Sequence, residues 1–284
     1  MAGALIFATG PVQLDEDGAH LRHELGRALS DALGVEVEVT AEPTYAALLE
    51  RVARGEASLA WLPPATFVRA FESGMVDRVY SADRAGGARY QAALFVRADS
   101  TFDEPASLAG KRVAWVDRDS CAGYLFPRLE LVQRGHPPES LFAEQRFLST
   151  HLRVVRAVKD GEVEAGATFV QLRSLEARPS RPPGVEEARA ELGQTLALVG
   201  WAPFVAPTAM RAVLVSRAIP SDALCLTRAM PTALRDAVGD VLRVVGDRPR
   251  LARLFRGLMN ADRFVRAEPS SYDGVREAMR GATA

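Results

Sequence analysis

The chain alternates between short apolar runs and longer segments that carry apolar residues at helical spacing. The short runs predict strands over residues 4–8, 35–39, 58–62, 76–81, 90–96, 113–116, 146–148, 164–168, 195–199 and 212–215. The longer segments predict helices over residues 15–33, 43–55, 124–134 and 150–159, a short helix after 63–66, and mainly helix after residue 215. Strands that alternate with helices indicate an α/β fold with parallel sheets.

Residues 111–134 combine an apolar strand, a polar turn at 117–123 and a helix in close succession. A small-residue turn that opens a helix presents backbone N–H groups and the positive end of the helix dipole to an anion. The residues of this predicted anion-binding turn are Ser120, Cys121, Ala122 and Gly123. The alternative interpretation is a turn that only caps the helix.

A weak internal repeat relates residues 43–61 to residues 149–167, at an offset of 106 positions. Both segments carry a threonine before the helix and a glycine after it. The first strand aligns with the strand at 113–116 at nearly the same offset. The order of strands and helices agrees in the two halves, so the repeat predicts two lobes of like topology.

The repeat puts Tyr45 and His151 in equivalent positions, each in the first turn of a helix that follows a strand. In open α/β sheets, ligands bind beyond the carboxyl ends of the strands, where such helix starts point. Two lobes that face each other would close a cleft over Tyr45, His151 and the Ser120 turn, with Thr9 at its lip. Tyr45 and Tyr90 could instead be residues at the edge of the core.

Composition narrows the classes of function. The chain has 284 residues, of which 25% are charged, and a net charge of −1, so no global field favours nucleic acid or an anionic membrane. No run reaches the ~18 apolar residues of a membrane helix. The apolar start of the chain predicts a first strand rather than a signal peptide, so we expect a cytoplasmic protein or one from which a leader was removed. Its two cysteines do not form a disulfide framework.

Short motifs occur in a fixed order along the chain. In the first half they are Tyr45 with Leu48 and Gly55, the strand-turn at 61–63, and Tyr90 at the opening of a strand. In the second half they are the lead-in at 107–111, the turn at 119–123, the segment at 148–151 and the run at 158–167. By these motifs the chain resembles the phosphate/phosphonate-type solute-binding proteins of ABC transporters, which have the two-lobed type 2 periplasmic-binding-protein fold.

This resemblance implies a monomeric, non-enzymatic receptor that needs no cofactor or metal and binds a small anionic ligand in a central cleft. It also implies an ABC permease as partner, a periplasmic location and hinge motion about two crossovers, near Arg97 and Ala212. The lobes would be residues 1–96 with 213–284, and residues 97–212. The ligand-binding candidates are Thr9, Tyr45, Tyr90, Ser120, Cys121, Ala122, Gly123 and His151.

The chain departs from the family pattern at the anion turn, where Cys121 and Ala122 replace two hydroxyl residues. Each hydrogen bond to a charged oxyanion that is lost in this way would weaken binding by roughly 1.5–3 kcal/mol. A thiol at a helix N-terminus can also be a nucleophile, but only His151 suggests itself as its base. We therefore interpret Cys121 as a substitution within a binding turn.

Two other functions stay open. One is a cytoplasmic enzyme on the same fold, similar to the futalosine-route enzymes of menaquinone synthesis. The other is a cytoplasmic ligand sensor that docks a regulatory partner. His20 and His23 lie three residues apart on a predicted helix, but no further ligand accompanies them to indicate a metal site.

Overall fold

The computed structural model describes residues 4–10, 16–84, 87–172, 184–194, 200–201 and 205–283. Its strands are β1 (Leu5–Thr9), β2 (Val37–Ala41), β3 (Leu59–Leu62), β4 (Val76–Asp83), β5 (Arg89–Arg97), β6 (Arg112–Trp115), β7 (Glu144–Phe147), β8 (Ala165–Val170), β9 (Met210–Val215), β10 (Ile219–Pro220), β11 (Ala223–Thr227) and β12 (Arg263–Ala267). Its α-helices are α1 (Glu16–Leu33), α2 (Tyr45–Ala53), α3 (Pro64–Glu72), α4 (Phe126–Gln133), α5 (Pro138–Leu141), α6 (His151–Lys159), α7 (Val185–Gln194), α8 (Arg235–Arg243), α9 (Pro249–Met259) and α10 (Asp273–Thr283).

The chain divides into two compact units, residues 1–88 with 220–272 and residues 89–219 with 273–284. Each unit has its own sheet with helices packed on it, which confirms the predicted α/β fold class. The prediction of parallel sheets was wrong in part, because both sheets are mixed and contain antiparallel pairs. Arg97 and Ala212, where crossovers were predicted, lie in β5 and β9, which pair with each other inside the second unit. The predicted lobe boundaries and hinges stay predictions.

The sheet of the first unit has the strand order β12-β4-β11-β3-β1-β2. Strand β1 is parallel to both of its neighbours, and β11 is antiparallel to β3 and β4. Three aromatic rings of the core pack in sequence, and Phe255 lies 6.4 Å from Phe7 and 4.9 Å from Phe264 between ring centroids. Burial of these rings, together with the apolar faces of α1 and α9, stabilises the unit.

After residue 215 the chain is mainly helical, as predicted, but the prediction missed the strands β10, β11 and β12. Strand β11 is five residues long and fully buried, so it has no alternation of polar and apolar positions. A short apolar run of this kind cannot be told from a buried helix by periodicity alone. It forms a strand because it fills the place between β3 and β4, and pairs with both.

The sheet of the second unit has the order β10-β5-β8-β6-β7, with β9 also paired to β5. Strand β6 is parallel to β7 and β8, and β5 is antiparallel to β8 and β9. Helix α10 packs in this unit, where Glu277 bonds Gln133 of α4 (3.0 Å) and Arg217 (3.3 Å). The end of the chain therefore belongs to the second unit, although the segment just before it lies in the first.

The internal repeat is present in the strand register. Phe7 pairs with Val39 and Leu59, and Val113 pairs with Gln145 and Ala165. The second set lies 106 positions after the first, which is the offset that the helices predicted. The glycines that end the two repeated helices both have positive φ, +72° for Gly55 and +76° for Gly161. The two units thus share an arrangement of three parallel strands and a capped helix.

Some predictions fall on residues that the structure does not describe. The predicted strand at 195–199 lies outside the described residues, as does most of the apolar segment at 196–206. Within the ranges that are described, no helix combines the length and the hydropathy needed to cross a membrane.

Candidate functional site

Three of the predicted site elements share one edge of the second sheet. Strands β6, β7 and β8 are parallel, so their carboxyl ends lie at the same edge. The Ser120 turn follows β6, and His151 begins the helix after β7. Tyr90 is the second residue of β5, which runs antiparallel to β8 and starts beside its end, where Gln91 pairs with Val170. Topology therefore brings Tyr90, His151 and the turn to one edge, which is where ligands bind in open α/β sheets. Their roles as ligand contacts stay predictions.

The Ser120 turn is a capped π-type helix start. Ser120 Oγ accepts a hydrogen bond from the Gly123 N–H (3.0 Å), and the Leu125 N–H donates to the Ser120 carbonyl (3.0 Å). The cap occupies the Gly123 N–H, so this group is not available to a ligand. The Ser120 O–H and the Ala122 N–H donate to no described residue. These two groups are the donors that the turn can offer to an anion.

Gly123 has a packing role in this turn. A Cβ at this position would lie 2.4 Å from Val116 Cγ2 and 2.7 Å from Ser120 Oγ. Both distances are shorter than van der Waals contact, so a side chain would push the helix away from β6. Cys121 and Ala122 are buried, with 5% and 4% exposure. Arg118, just before the turn, stacks on the Phe147 ring at 4.6 Å.

His151 is the first residue of α6, directly after the N-cap residue Thr150. Its Nδ1 lies 2.9 Å from the hydroxyl of Thr168, and its ring meets Phe169 edge to face with centroids 5.3 Å apart. Burial lowers the pKa of His151 from 6.5 to about 4. The imidazole is therefore neutral near pH 7. It can donate a hydrogen bond, but it does not add a positive charge to the site.

Ser149 precedes this helix in a left-handed conformation, with φ of +68°. Its N–H donates to the Val116 carbonyl (2.8 Å), which continues the pairing beyond β6 and β7. A non-glycine residue in this region is strained, and such strain concentrates near functional positions. The bond to Val116 therefore holds a strained turn that directs the chain into α6.

The two candidates of the first unit behave differently. Thr9 ends β1 and is fully buried, and its hydroxyl donates to the Thr40 carbonyl (3.0 Å). This bond links β1 to β2, so the Thr9 side chain stabilises the pairing of these two strands. Tyr45 begins α2 and is 41% exposed. Because β1 and β2 are parallel and α2 follows β2, Tyr45 lies at the carboxyl edge of the first sheet. The roles of both residues as ligand contacts stay predictions.

Sequence reasoning missed three residues that support the candidates. A Cβ at Gly10 would lie 2.4 Å from Tyr45 Cε1, so the Tyr45 ring rests on the main chain there. Thr168 is fully buried against His151, and a Cβ at Gly200 would lie 2.1 Å from its hydroxyl. A glycine directly after a strand was the available signal at Gly10. The contact between Thr168 and Gly200 has no local signal.

Metal-binding geometry is absent from the described ranges, which contain no cluster of three or more His, Cys, Asp or Glu side chains suited to a cation. His20 and His23 are both exposed on α1. Cys225 is fully buried in β11, and burial raises the pKa of its thiol. These residues therefore add no further chemistry to the site.

Comparisons with known proteins agree with this architecture. The family described as the phosphonate ABC transporter periplasmic substrate-binding protein matches residues 7–272. The phosphate-import protein PhnD of Mycolicibacterium smegmatis is 28% identical over 175 residues, which is 58% of this chain and 54% of that protein. The alignment thus spans about half the length of that curated relative.

Solved structures show the same fold. PhnD1 of Prochlorococcus marinus, in complex with methylphosphonate, superposes with a TM-score of 0.71 at 17% identity, covering 99% of this chain and 98% of that one. The protein XAC2383 of Xanthomonas citri, bound to ATP, gives a TM-score of 0.73 at 16% identity with the same coverage. Since the family match extends over residues 7–272, nearly the whole chain, this protein belongs to the family of periplasmic substrate-binding proteins of phosphonate ABC transporters.

Proposed function

We propose that this chain is the substrate-binding component of an ABC importer and that its ligand is a small oxyanion of the phosphonate or phosphate class. The observation that carries the proposal is the neutral His151, held by Thr168 at the same sheet edge as the Ser120 turn. Family membership supports the same assignment. Two structural neighbours, one with methylphosphonate and one with ATP, hold ligands that carry phosphorus oxyanions.

The chemistry of the donors fits a tetrahedral oxyanion. Such a group accepts several hydrogen bonds from donors that converge on it, and bonds to a charged acceptor are stronger than neutral ones. The second unit offers the Ser120 O–H, the Ala122 N–H and the His151 ring, none of which carries a charge near neutral pH. Recognition would therefore rest on hydrogen bonds rather than on an ion pair.

The altered turn sets an expectation for affinity. Cys121 and Ala122 supply no hydroxyl where the family pattern has hydroxyl residues. Each missing bond to a charged oxygen weakens binding by roughly 1.5–3 kcal/mol. We expect this protein to bind phosphate-like ligands more weakly than a relative with a full set of hydroxyls, unless the ligand makes contacts elsewhere.

The proposed role is binding without catalysis. Within the described residues, His151 contacts Thr168 and Phe169, neither of which is a second acid or base. General acid–base chemistry would need such a partner. By family membership the protein would act in the periplasm and deliver its ligand to an ABC permease.

Isothermal titration of the full chain with methylphosphonate, inorganic phosphate and sulfate tests the proposal. We expect binding of at least one phosphorus oxyanion, and His151→Gln should weaken it by about tenfold or more, since loss of a charged hydrogen bond of about 1.4 kcal/mol has that effect. His20→Gln is the matched control, because His20 is exposed on α1. If neither phosphorus oxyanion binds, or if both histidine variants lose the same affinity, the proposal is wrong.

A further inference from the structure

The contact between Thr168 and His151 joins a fully buried hydroxyl to a ring nitrogen. Thr168 lies in β8 and is 0% exposed, and its Oγ1 is 2.9 Å from His151 Nδ1. This bond is the only one that Thr168 Oγ1 makes among the described residues. Among the described residues, the imidazole is therefore the one acceptor for its proton.

The position of the imidazole proton follows from the requirement that buried hydrogen-bond donors and acceptors be paired. If Nδ1 carried the proton, it would donate to Thr168, and the threonine proton would be buried with no acceptor among the described residues. If Nδ1 is bare, Thr168 donates to it and both groups are satisfied. Buried polar groups are almost always hydrogen-bonded, because an unmade bond is costly in the interior. The satisfied arrangement leaves the proton of the neutral ring on Nε2.

Packing around the hydroxyl leaves little room for another acceptor. A Cβ at Gly200 would lie 2.1 Å from Thr168 Oγ1 and 3.0 Å from the Phe169 carbonyl oxygen. The Gly200 N–H donates to that same carbonyl (2.8 Å), so its main chain is fixed against β8. Gly200 therefore covers the threonine hydroxyl closely and keeps it directed at the histidine.

We propose that Thr168 is a positioning residue, which holds His151 in the tautomer that presents an Nε2–H donor to the oxyanion ligand. The part that concerns the ligand rests on the proposed function. Gly200 is the residue that makes room for this arrangement. An Nε2–H donor requires an acceptor on the ligand, so this arrangement selects an acceptor oxygen over a hydrogen-bond donor at that position.

The tautomer is measurable in the free protein. Nitrogen-15 NMR of the full chain labelled at histidine, recorded at pH 7 without ligand, should show a bare Nδ1 and a protonated Nε2 for His151, assigned through His151→Gln. Thr168→Val removes the donor at similar volume and should give a mixture of the two tautomers. Thr168→Ser keeps the hydroxyl and should restore the original signal. Thr66→Val, at a buried threonine of α3 in the first unit, should leave the His151 signal unchanged.

Titration with methylphosphonate and with inorganic phosphate gives the second readout. Thr168→Val should weaken binding by about tenfold, as expected for a misdirected hydrogen bond to a charged oxygen, and Thr168→Ser should stay close to the unmodified chain. Gly200→Ala, whose methyl group would collide with the hydroxyl, should act in the direction of Thr168→Val.

The two readouts separate this proposal from the proposed function. A proton on Nδ1 in the unmodified chain, or an unchanged tautomer in Thr168→Val, would overturn the positioning role whether or not an oxyanion binds. Failure of both ions to bind, together with the expected tautomer, would overturn the proposed function and with it the ligand part of the inference.

Discussion

Tyr45 and His151 occupy equivalent positions in the two units of this protein, 106 residues apart. Each is the first residue of a nine-residue helix, and each follows a threonine N-cap with extended backbone. The threonine hydroxyl accepts from the N–H three residues later, at 3.1 Å for Thr44 and 3.2 Å for Thr150. One local structure therefore presents two chemically different side chains, a phenol in the first unit and an imidazole in the second.

The paired caps predict paired stability effects. Thr44→Ala and Thr150→Ala should each lower the free energy of unfolding by about 1 kcal/mol, because each removes a side-chain acceptor for an otherwise unpaired helix N–H. Urea denaturation followed by circular dichroism measures this effect. Serine at either position keeps the acceptor and should recover most of the loss. An alanine variant as stable as the unmodified chain would show that its helix start does not depend on the cap.

The left-handed Ser149 predicts a stabilising substitution. Its φ of +68° is unfavourable for serine and free of strain for glycine, so Ser149→Gly should raise the free energy of unfolding by about 0.5–1 kcal/mol. Asn260, with φ of +49° at the end of α9, is the matched control. Asparagine tolerates this conformation better than serine, so Asn260→Gly should gain less. Equal or opposite effects of the two substitutions in thermal denaturation would contradict this explanation.

The Arg112–Glu164 pair predicts a loss of stability in acid. The Arg112 guanidinium bonds the Glu164 carboxylate at 2.6 Å and, with the Arg112 N–H at 2.9 Å, lowers the pKa of Glu164 from 4.5 to about 2. A carboxylate with a lowered pKa in the folded state contributes stability above pH 4.5, and this contribution is lost as the pH falls towards 2. Because the side chains are 39% and 26% exposed, solvent screening leaves a contribution of roughly 1–2 kcal/mol.

Glu164→Gln tests this pair. The variant should be less stable than the unmodified chain at pH 7, and the difference should shrink at pH 3, where the unfolded chain already binds the proton. Glu162→Gln is the control, because Glu162 is exposed and has no ion pair among the described residues. A difference for Glu164→Gln that is the same at both pH values would assign the effect to packing instead of charge.

The lowered pKa of His151 predicts a second effect of pH on stability, between pH 4 and pH 6.5. Its pKa is about 4 in the folded state and 6.5 ordinarily, so the unfolded chain binds more protons between these values. The contribution of His151 to the free energy of unfolding should be constant above pH 6.5. It should fall by up to about 3 kcal/mol as the pH drops to 4. His151→Gln should flatten that part of the curve, whereas His20→Gln should not. An NMR titration midpoint of His151 near 6.5 would contradict the burial that the structure shows.

Local chemistry explains which parts of the fold could be predicted from sequence. The threonine caps and the closing glycines act within one turn of the chain, so their recurrence identified two equivalent helices and the residues that begin them. The strands of the repeat were predictable for the same reason, as short apolar runs. Strand β7 begins at Glu144, earlier than the predicted 146, because polar residues of its exposed start still pair with β6.

Long-range contacts explain what the sequence did not show. The bond from Thr168 to His151 joins β8 to α6, and Gly200 reaches the same hydroxyl from 32 positions further along the chain. No periodicity or spacing marks such a contact. Thr9 shows the converse, since its place at the end of a strand was predicted but its hydroxyl is used by the neighbouring strand. The position of a residue was thus more predictable than the partner of its side chain.

The Ser120 hydroxyl predicts two separable effects, one on affinity and one on stability. Ser120→Ala removes the O–H and should weaken binding of methylphosphonate or phosphate by about 1.5–3 kcal/mol if that group bonds the ligand. The same change removes the cap on the Gly123 N–H and should lower stability by about 1 kcal/mol. Ser140→Ala is the control, because Ser140 Oγ bonds a carbonyl on an exposed turn and no ligand candidate lies in α5. Titration calorimetry measures the affinity, and thermal denaturation measures the stability.

Variants of Cys121 distinguish a turn that binds through backbone and hydroxyl donors from a site that acts through a thiol. Cys121→Ala should keep most of the affinity, because the Ala122 N–H is unaffected by the neighbouring side chain. Cys121→Thr should strengthen binding of phosphate-like ligands if its hydroxyl reaches the oxyanion, although the site is only 5% exposed and the extra methyl must fit. Arg118→Gln should change affinity less than Ser120→Ala, because Arg118 is held on the Phe147 ring, a contact worth about 0.5–1 kcal/mol at an exposed position. If Cys121→Ala abolishes binding while Ser120→Ala has no effect, the turn does not act through backbone and hydroxyl donors. A role of the Cys121 thiol would then be the better explanation.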